Sequence, residues 1–317
     1  MSAESKEPSL RDKISTRAWA LSQARSFFSE RNIIEVDCLA LSTFPSIDTN
    51  IDLFCVPSSI HGSRFLFSSP EYQMKRMLAG GSGDIFYLGH VWRHEEAGVR
   101  HSPEFLMAEW YRLNFSFEQM IQETVEFVKL FVGEKNVCSL SYRQAFINAL
   151  NFDPFTISHK ELVAACQKAD GYPLKSSSRD ELLNLLMGLY IEPSFDDDAI
   201  TVLYHYPASQ GALAQHVEVN GNKVAERFEV YFQGLELANG FHELADPIEQ
   251  RARFLCDNRE REALGKDIYL VDEYFLQALE QGLPDCSGVA VGMDRLLMVK
   301  EKSTSLHALF PLSWHCT

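Results

Sequence analysis

The sequence predicts an α+β fold with a central antiparallel sheet flanked by helices. Two strand-like apolar segments, 84–93 and 104–113, are joined by a loop containing glycine and proline, which is typical of an antiparallel pair. Amphipathic spacing at 11–31 and 117–132 predicts helices. Strands grouped in this way, without regular strand–helix alternation, indicate α+β and not a doubly wound parallel sheet.

Local signals define the elements between these segments. After the first helix, the run N-I-I-E-V-D turns strand-like, and residues 64–68 form a short strand. Ser68 or Ser69 can cap the next helix, with Pro70 in its first turn. Two glycines, Gly80–Gly81, end that helix.

The second half of the chain begins with a segment in which turn-forming residues interrupt helical stretches. Residues 150–195 contain Asp-Pro, Gly-Tyr-Pro and a run of serines around two helical stretches, which predicts a small helical insertion. Asn239–Gly240 is a strong turn signal that would return the chain on itself. The other predicted elements are strands at 199–206, 224–233 and 286–291 and helices at 246–264, at 268–281 and from about Met293.

Composition narrows the classes of function. The 317 residues carry a formal net charge of −15, which argues against a broad electrostatic grip on nucleic acid. No run of about 18 apolar residues suggests a membrane span. The polar start predicts a disordered lead-in at 1–10 without a signal peptide. The seven cysteines contain no C-x-x-C pair, so a reducing cytoplasm is expected.

Two arginines suggest a nucleotide site without the usual glycine-rich phosphate loop. Arg93 and Glu95 lie two apart on a predicted strand, and Arg295 follows a strand of small residues. Arginine grips phosphate through its planar fork, so the two would hold a triphosphate from both ends. The alternative is a surface ion pair. However, burying a charged pair on an apolar central strand costs free energy, which favours a functional role. A zinc site made by His90, His94 and Glu95 has the wrong spacing.

Two further features fit an ATP site. Glu236 and Glu243 are carboxylates of the kind that hold Mg²⁺ beside phosphate, although two solvated glutamates are an equal alternative. Gly288, Ala290 and Gly292 alternate along the last strand and would admit a flat ligand such as adenine. Tight helix–strand packing is the alternative explanation for these small residues.

Together, these segments resemble the class II aminoacyl-tRNA synthetases. R-H-E with its loop is similar to that family's second motif, and G-M-D-R is similar to its third. The first helix with I-I-E-V-D would be the first motif, which builds a homodimer, although V-D-C-L replaces the usual proline.

S-P-E-Y-Q-M-K-R and E-L-A-N-G-F-H-E-L resemble lysyl-tRNA synthetases. Y-H-Y-P-A-S-Q-G-A-L-A-Q and P-D-C-S-G-V-A resemble their paralogues, the elongation factor P–lysine ligases. The resemblance spans about residues 12–300.

The resemblance implies an ATP-dependent ligase that uses Mg²⁺. It would activate (R)-β-lysine, or lysine, as an adenylate with release of pyrophosphate, and transfer it to a lysine of elongation factor P with release of AMP. Arg93 would contact the α-phosphate and Arg295 the γ-phosphate, and both are the implied catalytic residues. The implied ATP site comprises Arg93, His94, Glu95, Ser102, Glu236, Leu237, Gly292 and Arg295. The implied amino-acid pocket comprises Ser69, Pro70, Glu71, Tyr111 and Glu243, and the implied Mg²⁺ ligands are Glu236 and Glu243.

The resemblance also implies a single class II catalytic domain over 11–317 without an anticodon-binding domain. Alternatives remain at this stage: an enzyme that charges tRNA, a non-catalytic amino-acid-binding paralogue, and an amide-forming enzyme with a small acceptor. The expected lack of an anticodon-binding domain and the net charge of −15 make tRNA an unlikely partner. The presence of both arginines and both glutamates argues against a non-catalytic protein.

Overall fold

The computed structural model describes residues 9–60, 62–94, 96–170 and 178–312. The α-helices are α1 (Leu10–Glu30), α2 (Glu71–Ala79), α3 (Phe117–Val132), α4 (Tyr142–Leu150), α5 (His159–Asp170), α6 (Arg179–Leu186), α7 (Pro247–Ala263), α8 (Glu273–Gly282) and α9 (Met293–Lys300). The strands are β1 (Ile34–Glu35), β2 (Leu41–Ser42), β3 (Cys55–Val56), β4 (Arg64–Leu66), β5 (Ile85–Trp92), β6 (Glu104–Leu113), β7 (Asn136–Ser141), β8 (Ala199–Pro207), β9 (His216–Val219), β10 (Asn222–Phe232), β11 (Leu235–His242) and β12 (Cys286–Gly292).

The chain divides into two compact units. The first unit comprises Met1–Gly133 and Glu243–Thr317, and the second comprises Glu134–His242. In the first unit, the sheet order is β1-β5-β6-β12, with β1 parallel to β5 and the other neighbours antiparallel. The predicted antiparallel pair is therefore confirmed as β5 and β6, in which Tyr87 lies opposite Glu109.

Aromatic packing fixes the helices of the first unit on its sheet. The ring of Phe28 from α1 stacks on Phe86 of β5 at 4.2 Å and on Phe127 of α3 at 5.4 Å. Trp110 of β6 lies against both phenylalanines of the helices. These rings lie on the face of β6 opposite to Glu109, because neighbouring strand residues point to opposite sides. Helices α1 and α3 thus cover one face of this sheet, and the opposite face is available for a functional site.

The first unit also contains a small sheet with the order β2-β4-β3. Helix α2 follows it and packs on α8, where the rings of Tyr72 and Phe275 stack at 4.6 Å. Pro70 occupies the cap position of α2, and the hydroxyl of Ser69 accepts the Glu71 N–H at 3.0 Å. Gly80 ends the helix, as predicted.

The second unit has its own sheet and core. Its strand order is β11-β10-β8-β7, and β9 pairs with β10. β7 is parallel to β8, while β10 is antiparallel to its neighbours. The core contains apolar side chains of α4, α5 and α6, such as Phe146, Leu162 and Leu182. Helices α5 and α6 lie within the predicted insertion, of which residues 171–177 lie outside the described residues.

Three local predictions were wrong. The Asn239–Gly240 pair lies inside β11 opposite Glu229 and Phe228, and the turn falls at Gln233–Gly234, where both residues have positive φ. Cross-strand pairing therefore outweighs the turn preference of Asn-Gly. Helix α8 begins at Glu273 and not at 268, because the Asp272 side chain caps it by accepting two backbone N–H groups. Strand β5 ends at Trp92, so the next residue, Arg93, is not on it.

The predicted α+β class, with antiparallel sheets flanked by helices, is confirmed. Residues 1–8 of the predicted lead-in lie outside the described residues, and α1 begins at Leu10 behind a Ser9 cap. The single catalytic domain stays a prediction. Within the described ranges, no helix has the length and apolar character needed to cross a membrane.

Candidate active site

One face of the sheet in the first unit carries residues predicted to bind substrate. On β12, Gly288 lies opposite Tyr111 and Ala290 lies opposite Glu109, so these residues share a face. A Cβ atom at Gly288 would lie 2.3 Å from Cε1 of Tyr111 and 2.5 Å from Oε1 of Glu243. These distances are shorter than van der Waals contact. The glycine therefore gives Tyr111 and Glu243 the space that they occupy.

Glu109 is a buried carboxyl group on this face, with 2% of its surface exposed. It accepts hydrogen bonds from the hydroxyls of Ser69 at 2.7 Å and Tyr111 at 2.8 Å. Burial, and next the negative charge of Glu71, raise the pKa of Glu109 to about 8, and the two hydrogen bonds oppose this only in part. Glu109 is therefore a group that titrates near neutral pH and would ionise beside a bound cation.

Lys75 is a buried cation in the same pocket, with 0% of its surface exposed. Its Nζ lies 2.5 Å from Oε2 of Glu243 and 2.7 Å from Oε1 of Glu71. Burial by itself lowers the pKa of Lys75, but the charges of Glu243 and Glu71 outweigh burial and raise it. Glu71 precedes Lys75 by one turn of α2, and the Glu243 N–H donates to the Cys286 carbonyl at 3.0 Å. Helix and strand thus fix the ammonium between two carboxylates.

The surroundings of Glu243 do not favour the predicted role as a Mg²⁺ ligand. Its carboxylate is 1% exposed and already neutralised by Lys75. A hydrated dication would meet the repulsion of this ammonium and would have no room for its waters. Glu236 is partly exposed on β11, in the second unit. In the portion of the chain that the structure describes, no group of three or more His, Cys, Asp or Glu side chains is arranged to hold a metal ion.

Arg93 lies immediately after β5, at the base of the loop that joins the central strands. Its N–H donates to the carbonyl of Pro103 at 2.9 Å, which closes the base of this loop. Its guanidinium lies 5.1 Å from the centre of the Phe105 ring and 3.7 Å from Glu96. The expectation that Arg93 and Glu95 share a strand face fails for Arg93, and Glu95 itself lies outside the described residues.

Arg295 lies in the first turn of α9, as predicted, and contacts this loop. Its Nη2 is 2.7 Å from Nε2 of His101. Burial, and next the charge of Arg295, lower the pKa of His101, and Arg93 and Arg100 add to this effect. A neutral His101 can accept the hydrogen bond from Arg295. Arg93 and Arg295, which were predicted to bind phosphate, thus both lower the pKa of His101. Their positive charges would favour an anionic ligand near this imidazole.

A buried carboxylate holds this end of the site in place. Asp294 precedes Arg295 and is 3% exposed. Its Oδ2 accepts the Leu106 N–H at 2.7 Å, and its Oδ1 lies 2.5 Å from the guanidinium of Arg17 on α1. Asp294 therefore ties the helix that carries Arg295 to the strand that carries Glu109.

The predicted amino-acid residues assemble around Glu109 and Lys75. The structure brings together Ser69, Glu71, Tyr111 and Glu243. Pro70 is buried at the start of α2.

The predicted ATP residues belong to several different elements. Gly292 is the cap residue of α9, and Ser102 is buried just before β6. The His94 N–H donates to the carbonyl of Asp52 at 2.8 Å, which joins the loop to the segment after β2. Two predicted residues lie on β11 in the second unit: Glu236 and Leu237.

Sequence reasoning missed Glu109, Lys75 and His101. Glu109 shares a strand face with Tyr111 at a spacing of two, and Lys75 follows Glu71 at the helical spacing of four. Both signals were present, but a spacing alone does not distinguish a buried charge from a solvated one. His101 carried no pattern of its own, because its contact with Arg295 joins distant parts of the chain.

Comparisons with known proteins show the family to which the chain belongs. A family model described as "tRNA synthetases class II (D, K and N)" matches residues 3–313. The chain therefore belongs to the class II tRNA synthetase family. It is 43% identical over 292 residues to a protein of Avibacterium paragallinarum named elongation factor P–(R)-β-lysine ligase, covering 90% of this chain and 89% of that protein. Proteins of the same name from Photorhabdus laumondii and Pasteurella multocida are 42% and 40% identical, covering 89% and 93% of each chain.

We predict that Gly288→Ala weakens amino-acid binding by at least about tenfold, or ~1.4 kcal/mol, because the new methyl group displaces Tyr111 and Glu243. Isothermal titration calorimetry with (R)-β-lysine measures this effect. Gly188→Ala is the matched control, because nothing lies within 4 Å of its added Cβ. Unchanged affinity in Gly288→Ala would show that this glycine does not shape the pocket.

A second prediction concerns pH. Because the pKa of Glu109 is raised to about 8, the empty pocket holds a proton at lower pH, which an incoming ammonium group must expel. Affinity for (R)-β-lysine should therefore rise between about pH 6 and pH 8, by at most about tenfold per unit, and then level off. In Glu109→Gln, binding should be weaker and flat over this range, whereas Glu104→Gln on the same strand should keep the slope. A slope that survives in Glu109→Gln would assign the proton to another group.

Proposed function

We propose that this chain is an ATP-dependent ligase that activates (R)-β-lysine, or lysine, and transfers it to a lysine side chain of elongation factor P. The observation that carries this proposal is the charge of the pocket, in which Glu71 and Glu243 hold the ammonium group of Lys75 and a further buried carboxyl group, Glu109, lies on the same sheet face. Such a pocket stabilises additional cationic groups, because buried carboxylates need partners. The names of the relatives point to the same substrate and acceptor.

The amino acid would enter with its two ammonium groups directed at the carboxylates of Glu71, Glu109 and Glu243. The hydroxyls of Ser69 and Tyr111 already bond to Glu109, which holds its carboxylate in one orientation. The substrate's own carboxylate would then face away from this negative pocket. Electrostatic repulsion from three carboxylates supports that orientation.

The first chemical step would join this carboxylate to ATP. A carboxylate oxygen attacks the α-phosphorus, the bond from that phosphorus to the bridging oxygen breaks, and pyrophosphate leaves. Arg93 would stabilise charge on the α-phosphate and Arg295 charge on the γ-phosphate, as positioned guanidinium groups do in phosphoryl transfer. The remaining predicted ATP residues, His94, Glu95, Ser102, Glu236, Leu237 and Gly292, belong to this proposal.

His101 suggests how Arg295 is kept in place before ATP arrives. The imidazole accepts a hydrogen bond from Arg295, so the guanidinium is ordered and not dispersed in solvent. A triphosphate would compete for the same donor, and it is the stronger partner because it is charged.

The second step would transfer the aminoacyl group. The neutral amine of the acceptor lysine attacks the adenylate carbonyl, an amide bond forms, and AMP leaves with the bonding electrons of the mixed anhydride. The amine nitrogen releases one proton to solvent in the process. Binding energy would contribute mainly by holding the two reactants in contact.

ATP would enter as its Mg²⁺ complex, and the ion is then part of the substrate. Glu236 keeps its predicted role as a Mg²⁺ ligand in this proposal, because its carboxylate is only partly buried. Glu243 is reassigned to the amino-acid pocket alone, on account of its ion pair with Lys75.

The main alternative is an enzyme that charges tRNA, which shares the first step and differs only in the acceptor. The matched family is named for tRNA synthetases, so this alternative has direct support. The net charge of −15 opposes it, because tRNA binding requires a positive surface. The predicted homodimer and cytoplasmic location stay predictions.

The acceptor decides between the two functions. The chain is incubated with ATP and labelled (R)-β-lysine, together with either elongation factor P or bulk tRNA. We expect label in elongation factor P, pyrophosphate release in both mixtures, and label in tRNA no higher than without enzyme. Gly288→Ala, assayed in parallel, should reduce the label at limiting amino acid. Label in tRNA, or no pyrophosphate release with wild-type protein, would overturn the proposal.

A further inference from the structure

Lys75 has no part in the proposed reaction, although it lies inside the proposed substrate pocket. It is 0% exposed, and a buried ammonium costs several kcal/mol of desolvation unless well-placed anions offset it. Glu243 and Glu71 supply those anions at 2.5 and 2.7 Å. Lys75 is therefore a fixed cation inside a pocket whose carboxylates favour cations.

The charges of the pocket can be summed from its members. Above about pH 8, where Glu109 is ionised, Glu71, Glu109 and Glu243 contribute three negative charges and Lys75 contributes one positive charge, which leaves two negative charges. The neighbouring ionisable groups do not change this sum, because burial raises the pKa values of Tyr111 and Cys286 and keeps both neutral.

Two negative charges match two ammonium groups. A diamino acid such as (R)-β-lysine would bring the pocket to neutrality, whereas an amino acid with one amine would leave a buried carboxylate without a counter-ion. Without Lys75, the pocket would carry three negative charges and would hold an excess charge even with a diamino acid bound. Buried charge that is not balanced is disfavoured in either case.

We propose that Lys75 is a specificity-determining residue, a fixed internal counter-ion that sets to two the number of substrate ammonium groups that the pocket accepts. This inference rests on the proposed function, because it assumes that the pocket binds an amino acid. Lys75 does not contact the reacting atoms, and it acts on selectivity through the carboxylates that it neutralises.

A structural ion pair is the competing explanation. In that case, Lys75 would hold α2 against the segment at Glu243, and its removal would weaken the binding of every ligand without regard to charge. The two explanations differ in what happens when one carboxylate and the ammonium are removed together, because that change restores the net charge but not the ion pair.

The test is the ratio of affinities for two ligands that differ by one amine: (R)-β-lysine and 3-aminohexanoate. Calorimetry without ATP, above about pH 8 where Glu109 is ionised, gives this ratio for wild type, Glu71→Gln, Lys75→Met and the double variant. The affinity ratio should follow the charge of the pocket. We expect the lowest ratio in Glu71→Gln, with a charge of −1, and similar ratios in wild type and the double variant, with −2 each. The highest ratio is expected in Lys75→Met, with −3. Adding Lys75→Met to Glu71→Gln should raise the ratio by at least about tenfold.

Lys160→Met is the control, because Lys160 is an exposed lysine outside the pocket, and its ratio should equal that of wild type. Thermal unfolding identifies variants that fail to fold. If Lys75→Met alone is unfolded, the comparison of Glu71→Gln with the double variant carries the test. A double variant that is unfolded, or whose ratio does not exceed that of Glu71→Gln, would overturn the inference. Wild-type protein that binds neither ligand would instead overturn the proposed function.

Discussion

The ion pair between Lys75 and Glu243 is the interaction on which the arrangement of the site depends. It joins α2 to the segment that returns beside β12, at a place where neither charge has access to water. Removing Lys75 would leave the buried carboxylate of Glu243 without its counter-ion, typically at a cost of about 3–5 kcal/mol. Gly288 supplies the space for this pairing, since a side chain there would collide with Glu243 and Tyr111. A short polar network thus fixes helix, strand and pocket together.

The second constraint is the division of the sheet into two faces. Trp110 and the phenylalanine rings bury one face under α1 and α3, so the adjacent positions, Glu109 and Tyr111, point away from this core. The same strand therefore contributes both to the hydrophobic core and to the proposed substrate pocket. Asp294 extends this coupling, because it bonds to the backbone of β6 while the next residue, Arg295, faces the loop.

Most of the fold was predictable where local signals and tertiary packing agree. Helix α3 has the predicted bounds, 117–132, because the Ser116–Gln119 capping box and the apolar periodicity point to the same ends. The Asn239–Gly240 turn was predicted wrongly because local preference and tertiary pairing conflict there. The Asn239 amide oxygen accepts a hydrogen bond from Arg227, and the backbone pairs along β10. Such long-range contacts are not visible in a local pattern.

Part of the residue cluster in the candidate site was indicated by the sequence, but its electrostatic arrangement was not. The motifs indicated Ser69, Glu71, Tyr111 and Glu243, which do lie together. They did not indicate that Lys75 pairs with Glu243, and that contact is the reason why the proposal assigns Glu243 to the amino-acid pocket and not to Mg²⁺. Burial and pairing decide the chemistry of a carboxylate, and both depend on residues that are far apart in the chain.

The central claim is that the pocket takes a diamino acid while Lys75 stays in place. A crystal structure of the protein with a non-hydrolysable (R)-β-lysyl-adenylate analogue tests it most directly. The account predicts both ligand ammonium groups within about 3 Å of pocket carboxylates, with Lys75 still bonded to Glu71 and Glu243. A ligand amine that displaces Lys75, or a ligand whose two amines lie outside the pocket, would contradict it.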